Sequence, residues 1–435
     1  MRHLNIYALA NSAKFNASAY YRIVLPLWTM HKLKLPVTID LDSGSTDRSP
    51  QDRWQAMMAG CDVHMLYQTV SEDMAFSIEQ TRKWPYAYKD DVKYGPPSFI
   101  VDTDDDLFNV SPLNPAFTSL GYKDLNGNEL KQGDKIWIRH PQTNEPQLLW
   151  ADGENVNYAL NRRTVDGWRK MMGLAELITV STEGTKAMVL REMGPEAESK
   201  IHMNPNCIDL SEYPRIELAE HPDEVRILWQ GSPTHWEDWW TLREPLGRIA
   251  KKYPQAKFII WGVDYPWLVN FIPAEQIEVM PWMDYRLFKL RLSTLGHDIS
   301  LAPLRPTIFN QSRSAIKFYE SSACWKPAAT LAQATAAYTE IIEGETGLLF
   351  TTPEEFETKL GGLIEDATLR KRLASNAKDW IKTHRDPTTH ALAFHERLLD
   401  VRAKRLEWPD PPPQKKKKAK NVSKTKHANI RGRKD

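Results

Sequence analysis

The stretch Asp298-Ile299-Ser300-Leu301-Ala302-Pro303-Leu304, read with Phe309-Asn310-Gln311-Ser312-Arg313-Ser314-Ala315-Ile316-Lys317-Phe318-Tyr319-Glu320, decides the fold. Its first part is a short apolar run closed by proline, which predicts a buried strand. Its second part is a polar loop, Asn310 to Ser314, that opens a helix. Trp325-Lys326-Pro327-Ala328 and Glu343-Gly344-Glu345-Thr346-Gly347-Leu348-Leu349-Phe350 then lead into two further strands. Strand, helix, strand is the repeating unit of a parallel sheet in an α/β domain. The N-terminus of such a helix presents free amides and a positive dipole end, a natural seat for a pyrophosphate. Arg313 and Lys317, four apart, are expected on one face of that helix, where they would neutralise the growing charge of a diphosphate leaving group. Glu320, one turn beyond Lys317, can accept hydrogen bonds from ribose hydroxyls. The rival reading is a solvated helix face with a Lys–Glu pair.

Outward from this stretch, short apolar segments recur in two series. Leu4–Leu9, Cys61–Leu66, Ser98–Val101, Leu177–Val180 and Lys200–Met203 form the first. Arg226–Trp229, Lys257–Trp261, Ile277–Met280, Ile299–Ala302, Ala328–Thr330 and Gly347–Phe350 form the second. Between them Asp209–Glu224 is rich in Pro, Glu and Asp and lacks apolar periodicity. Two Rossmann-like domains facing each other across a cleft are therefore expected, at 1–210 and 225–385, joined by a linker at 211–224. Thr352-Pro353-Glu354-Glu355 predicts a helix start, with Thr as N-cap, Pro at the first helical position and Glu three after the cap. A second helix is expected from about Ala367 to Lys382, and a C-terminal helix over 386–408.

The chain has 435 residues, 41% hydrophobic and 26% charged, enough for two cores. No apolar run approaches eighteen residues, so no membrane span is expected, and no secretory leader precedes the first strand. Cys61, Cys207 and Cys324 are odd in number and widely spaced, which fits neither a disulfide framework nor a metal site and suits a reducing cytoplasm. The net charge of +1 conceals an asymmetry. Residues 411–435 hold ten Lys or Arg against Asp435, a net +9, which leaves about −8 for the rest. The Pro- and Lys-rich segment 409–435 is expected to be disordered.

The motifs of 298–350 together resemble the donor domain of GT-B glycosyltransferases, in particular the retaining family 4 (group 1) enzymes. In that family a strand ending in proline precedes a helix with a Lys-x-x-Glu step, followed by turns like Lys326-Pro327 and Gly344-Glu345-Thr346-Gly347. The likeness covers roughly 225–390. It implies a nucleotide-sugar co-substrate, no essential metal or other cofactor, and a retaining transfer to an acceptor hydroxyl. It also implies donor contacts for Gly231, Ser232, His235, Asn310, Ser314 and Glu320, with Trp282 where the nucleobase is held or, alternatively, simply in the core. Two departures stand out. Ser312 occupies the position of a second Glu that touches the donor sugar, eight residues before Glu320. The loop Trp229-Gln230-Gly231-Ser232-Pro233-Thr234-His235 lacks the usual Arg and Lys.

In the first half, Asn11–Asn16 lies where such enzymes carry a small-residue loop. Tyr20-Tyr21-Arg22 and Asp102-Thr103-Asp104-Asp105-Asp106 look like a subset often found in bacteriophage and bacterial genomes. Asp105 or Asp104 is expected to orient or deprotonate the acceptor hydroxyl. Two rivals for this acidic run are a metal-holding Asp-x-Asp and a helix cap. Of the sixteen tryptophans, some are expected in the cleft and most in the core. The basic tail suggests salt-dependent affinity for a nucleic acid backbone, somewhat ahead of an anionic membrane surface. The acceptor expected on these grounds is a hydroxymethylated base in phage DNA, or else a surface or lipid-linked glycan. From a different class, a nucleotide-sugar epimerase or an inactive DNA-binding protein would also fit.

Overall fold

The computed structural model describes residues 3–10, 17–43, 49, 52, 61–68, 72–83, 87–89, 92–139, 145–216 and 221–407. The loop Asn11–Asn16 and the basic tail at 409–435 lie outside the described residues. Two six-stranded sheets are built, one from each half of the chain. The first holds β1 (Leu4–Leu9), β2 (Val37–Asp42), β3 (Val63–Tyr67), β4 (Ser98–Thr103), β5 (Leu177–Val180) and β6 (Ile201–Met203), in spatial order β6-β5-β4-β3-β1-β2. The second holds β7 (Val225–Gln230), β8 (Ala256–Trp261), β9 (Ile277–Met280), β10 (Ile299–Ala302), β11 (Ala329–Gln333) and β12 (Leu348–Phe350), ordered β9-β8-β7-β10-β11-β12. All pairings within these sheets are parallel, Ile227 lying opposite Ile299 and Ile299 opposite Ala329. Every residue of β4, β5 and β10 is buried, as expected of strands covered by helices on both faces. Sequence periodicity located the strands to within a few residues, but Val37–Asp42 was missed because its outer side is only half-covered.

The order reverses between β1 and β3 in one sheet and between β7 and β10 in the other. Parallel sheets place ligands beyond the carboxyl ends of the strands at such a reversal. Those two sets of carboxyl ends face each other. Among the helices that frame this arrangement are α1 (Leu25–Lys32), α2 (Glu183–Met193), α3 (Tyr285–Leu295), α4 (Ile316–Ala323), α5 (Pro353–Glu365), α6 (Ala367–His384) and α7 (Pro387–Glu407). Thr352 caps α5 by accepting from the Glu355 amide at 3.2 Å, with Pro353 at the first position. The Glu355 carboxylate reaches back to Thr351 rather than to the cap residue itself.

The core on one face of the second sheet gathers Leu228, Ile259, Phe318 and Ile381 and continues into Tyr21 and Leu25 of the first half. The last described helix, α7, also crosses back. Its Ala391, Phe394, Leu398 and Val401 pack with Leu4, Ile6, Leu27, Met30 and Leu177. Arg402 anchors it further, donating to Asp62 at 3.1 Å and to the Pro96 carbonyl at 2.8 Å. No helix among the described residues is long and apolar enough to cross a membrane.

Candidate functional site

A cleft of about 380 Å³ lies where the carboxyl ends of the two sheets meet. The first half lines it with Ala17, Ser18, Tyr67, Gln68 and Asp105. The second contributes Gln230, Gly231, Ser232, His235, Trp282, Arg313, Lys317 and Glu320, among others. Eight of the eleven expected site residues thus share one cavity. Asp104, Asn310 and Ser314 do not line it.

The cations reach the cleft by a route that the spacing did not reveal. Phe309–Ser312 is a 3-10 turn, Arg313 is extended with ψ of 157°, and α4 begins only at Ile316. Arg313 and Lys317 therefore do not share a helix face. Arg313 approaches from the turn, its guanidinium stacked 4.8 Å over the Phe309 ring and 3.1 Å from Asp105. Lys317 rises from the first turn of α4, whose N-cap residue Ala315 supplies no side-chain cap to the amides there. Burial, and then the nearby Arg313 charge, pull the Lys317 ammonium down to about 8.

Behind Lys317 stands a buried relay. His235 Nε2 lies 3.3 Å from Lys317 Nζ, and its Nδ1 lies 2.8 Å from Asp238. An ammonium only donates, so Nε2 accepts from Lys317 and Nδ1–H donates to Asp238. Burial, followed by the Lys317 charge, holds the imidazole down at about 4, hence neutral at physiological pH. His235 is therefore occupied as an acceptor and offers no proton to a ligand, contrary to the role the sequence suggested. Asn310 is likewise turned inward, donating at 3.0 Å to both Asp238 and the Arg305 carbonyl. The Gly231 amide is spent on the Trp261 carbonyl at 3.0 Å, leaving the hydroxyls of Ser232 and Thr234, 2.6 Å apart, as polar groups of that loop at the cleft.

Glu320 is buried at the cleft wall. Its Oε1 accepts from Tyr21 at 2.8 Å, with the Tyr285 oxygen 3.3 Å away, and its Oε2 accepts from Gln230 at 2.7 Å. Burial pushes its carboxyl up to about 7, although these donors and Lys317 favour the charged form. Trp282 is 60% exposed with one face open to the cleft region, which rules out the core alternative. Gly262 beside it has φ of +101°, and a Cβ there would sit 2.5 Å from the Gly231 carbonyl oxygen and 3.3 Å from the Trp282 ring. Glycine is needed for both reasons. Trp229 and Trp239 are core, whereas buried Trp261 also touches the cleft.

The acidic run splits by function. Asp102 is fully buried and bonded to Arg22 at 2.7 and 3.0 Å and to Thr179, which removes it from any Asp-x-Asp metal pair. Asp104 sits behind the cleft wall, accepting from Tyr67 at 3.1 Å and Gln68 at 2.5 Å. Lost solvation, and then the Asp105 charge, push it up to about 7. Asp105 alone of the run faces the cleft. Asp106 closes a turn through the Phe108 amide and pairs with Arg191 at 2.7 Å, so no helix is capped here.

Ser312 and Ser314 tie the halves together instead of holding ligand. Ser312 Oγ accepts from the Asp106 amide at 3.0 Å, and its carbonyl accepts from Thr182 and Thr185 at 3.0 Å. Ser314 Oγ accepts from Asn206 at 2.9 Å. Sequence reasoning missed Tyr21, Gln230, Tyr285 and Asp238. Gln230 alone carried a usable mark, as the last residue of the strand at the order reversal.

No protein-family model matches the sequence, and no curated protein does. Solved structures do resemble the whole chain. Sucrose-phosphate synthase from Thermosynechococcus elongatus has a TM-score of 0.58 at 11% identity, covering 93% of this chain and 100% of its own. HepE from Anabaena, solved with UDP and glucose, has a TM-score of 0.54 at 13% identity over 92% of this chain and 100% of its own. A glycosyltransferase from Rickettsia africae has a TM-score of 0.55 at 11% identity, covering 92% and 99%. The expected GT-B architecture of two facing α/β domains is borne out.

Proposed function

We propose that the protein is a glycosyltransferase that moves a sugar from a nucleotide-sugar donor to an acceptor hydroxyl. The observation that carries this reading is the shared cleft at the two order reversals. There an open indole, a carboxyl group and two cations converge, one complement each for base, ribose and diphosphate. Trp282 stacks on the base, Glu320 accepts from the ribose, and Arg313 and Lys317 with the α4 amides hold the diphosphate. The bond from the anomeric carbon to the β-phosphate oxygen breaks, its electron pair leaving with the diphosphate. The two cations stabilise that developing charge. The acceptor oxygen forms the new bond from the same face, so configuration is retained. Asp105, whose partner Arg313 is drawn to the diphosphate, orients the acceptor hydroxyl. Its proton passes to the departing phosphate oxygen. HepE, which has a similar fold, was solved with UDP and glucose, which supports a donor of this class.

The ten cations of 411–435 favour a polyanionic acceptor, and a hydroxymethylated base in phage DNA is the acceptor we assign. A surface or lipid-linked glycan is the alternative. The test is nucleoside-diphosphate release from a panel of nucleotide sugars, with plain DNA, hydroxymethyl-base DNA or no acceptor, and mass spectrometry of the DNA. Release that requires modified DNA, with a hexose or pentose mass added, is expected. It should survive a chelator, because Arg313 and Lys317 already supply the charge that a metal ion otherwise would. Release indifferent to DNA moves the acceptor to a glycan. Isomerised nucleotide sugar, or DNA binding without any turnover, would overturn the transferase reading.

A further inference from the structure

The two halves meet at a buried carboxyl group. We propose that Tyr21 is a positioning residue for Glu320: its hydroxyl, carried by the first half, fixes the carboxylate with which the second half grips the nucleotide ribose, so that donor recognition depends on the halves being docked. The inference rests on the nucleotide-sugar reading and extends it to a residue outside the donor-binding half.

The geometry is specific. Oε1 of Glu320 accepts the Tyr21 hydroxyl at 2.8 Å and has the Tyr285 oxygen 3.3 Å away, whereas Oε2 accepts only Gln230 among the described residues. A carboxylate oxygen takes about two donors, so Oε2 keeps a site for a ribose hydroxyl. The single Tyr285 proton goes to the nearer Tyr21 oxygen, which turns the Tyr21 proton toward Glu320. Tyr21 itself is only 2% exposed and sits on a π-helical turn, Tyr20–Val24, a widening frequent at functional sites. The neighbouring Tyr20 bonds Glu212 at 2.6 Å, and Lys289, itself paired with Glu212, lies 3.4 Å over its ring, so the turn is held by this ion pair.

Burial opposes the charged form of Glu320, and the Tyr21 hydroxyl opposes burial. Six groups face this carboxyl: Tyr21, Tyr213, Tyr285, Lys289, Lys317 and Cys324. Of these, Tyr21 is the hydroxyl donor from the first half, and Phe at 21 deletes it with almost no change of volume. The sign follows directly. Removing a donor to the carboxylate raises the pH at which Glu320 ionises, so ribose binding is lost at a higher pH as the solution is acidified.

The full chain is titrated with UDP, ADP and GDP between pH 6 and pH 9, as wild type, Tyr21→Phe, Glu320→Gln and the double variant. Carbon-13 labelling of glutamate carboxyls follows Glu320, identified by its absence in Glu320→Gln. Tyr21→Phe is expected to weaken the best nucleotide about 10- to 100-fold, the worth of one hydrogen bond to a charged group. It should also raise the Glu320 titration by about half a pH unit or more, and it should cost nothing further in the Glu320→Gln background. An unmoved titration, or an equal loss in that background, overturns the proposal. If Tyr21→Phe does not fold, Tyr285→Phe decides by the same readout, with an upward shift required. If wild type binds none of the nucleotides, the donor reading falls, while the carboxyl titration still decides whether Tyr21 holds Glu320.

Discussion

At the scale of single residues, the cleft holds charges at a cost to the empty protein. Lys317 has a value near 8 in the fold, below its ordinary 10.5. Its stabilising contribution is present above 10.5 and lost as pH falls through 8. Glu320 is raised from 4.5 to about 7, so its contribution is present below 4.5 and lost as pH rises through 7. Both charged forms therefore weigh against folding at neutral pH, as expected of groups kept for binding. Glu320→Gln should raise the stability of the ligand-free protein by about 1–3 kcal/mol at pH 8. That gain should shrink below pH 7, and denaturant unfolding at several pH values checks it. Lys317→Met should weaken nucleoside-diphosphate binding about 10- to 100-fold, the range for a buried charge-assisted contact. In wild type the affinity should decline as pH rises through 8, when the ammonium loses its proton, and calorimetry across that range measures the limb.

At the scale of elements, the helix that presents these groups starts later than its sequence suggested. Asn310 and Gln311 look like a loop running straight into a helix. Instead Thr307 accepts the Asn310 amide, a 3-10 turn forms, and Arg313 stays extended. The strands other than β2 were legible as short apolar runs ended by proline or small polar residues, and Thr352-Pro353 announced α5 without ambiguity. Tyr21 and Gln230 were illegible as partners of Glu320, since the contacts span 299 and 90 residues and leave no periodic trace. Ser312 shows the same limit. A position compared with a sugar-binding Glu turns out to be a contact between the halves, tied to Thr182, Thr185 and Asp106. The N-terminus of α2 presses so closely here that a Cβ on Gly184 would collide with the Gln311 carbonyl. Gly184→Ala should therefore cost about 1–3 kcal/mol by overpacking and weaken nucleotide binding by displacing Arg313. A melting temperature and affinity like wild type would show that the contact yields.

At the scale of the whole molecule, two sheets from separate halves are bound together by polar ties around the cleft and by α7 beneath it. The α7 crossing was not legible as such, because its apolar positions fit any surface helix and their partners lie at the other end of the chain. Four side chains, Ala391, Phe394, Leu398 and Val401, leave the core when the helix is removed, the larger ones worth about 1.5–3 kcal/mol each. Deleting the chain from Pro387 onward should lower the melting temperature sharply or abolish soluble folding, and wild-type melting would refute that packing role. A cleft that holds a nucleoside diphosphate on Arg313 and Lys317 must lose affinity when the buried Lys317 charge is removed. Calorimetric titration of wild type and Lys317→Met with UDP, ADP and GDP at pH 7.5 tests it most directly. Saturable binding of at least one nucleotide, weakened tenfold or more by the substitution, is the expected result. Absence of binding by all three, or equal affinity in the two proteins, would contradict it.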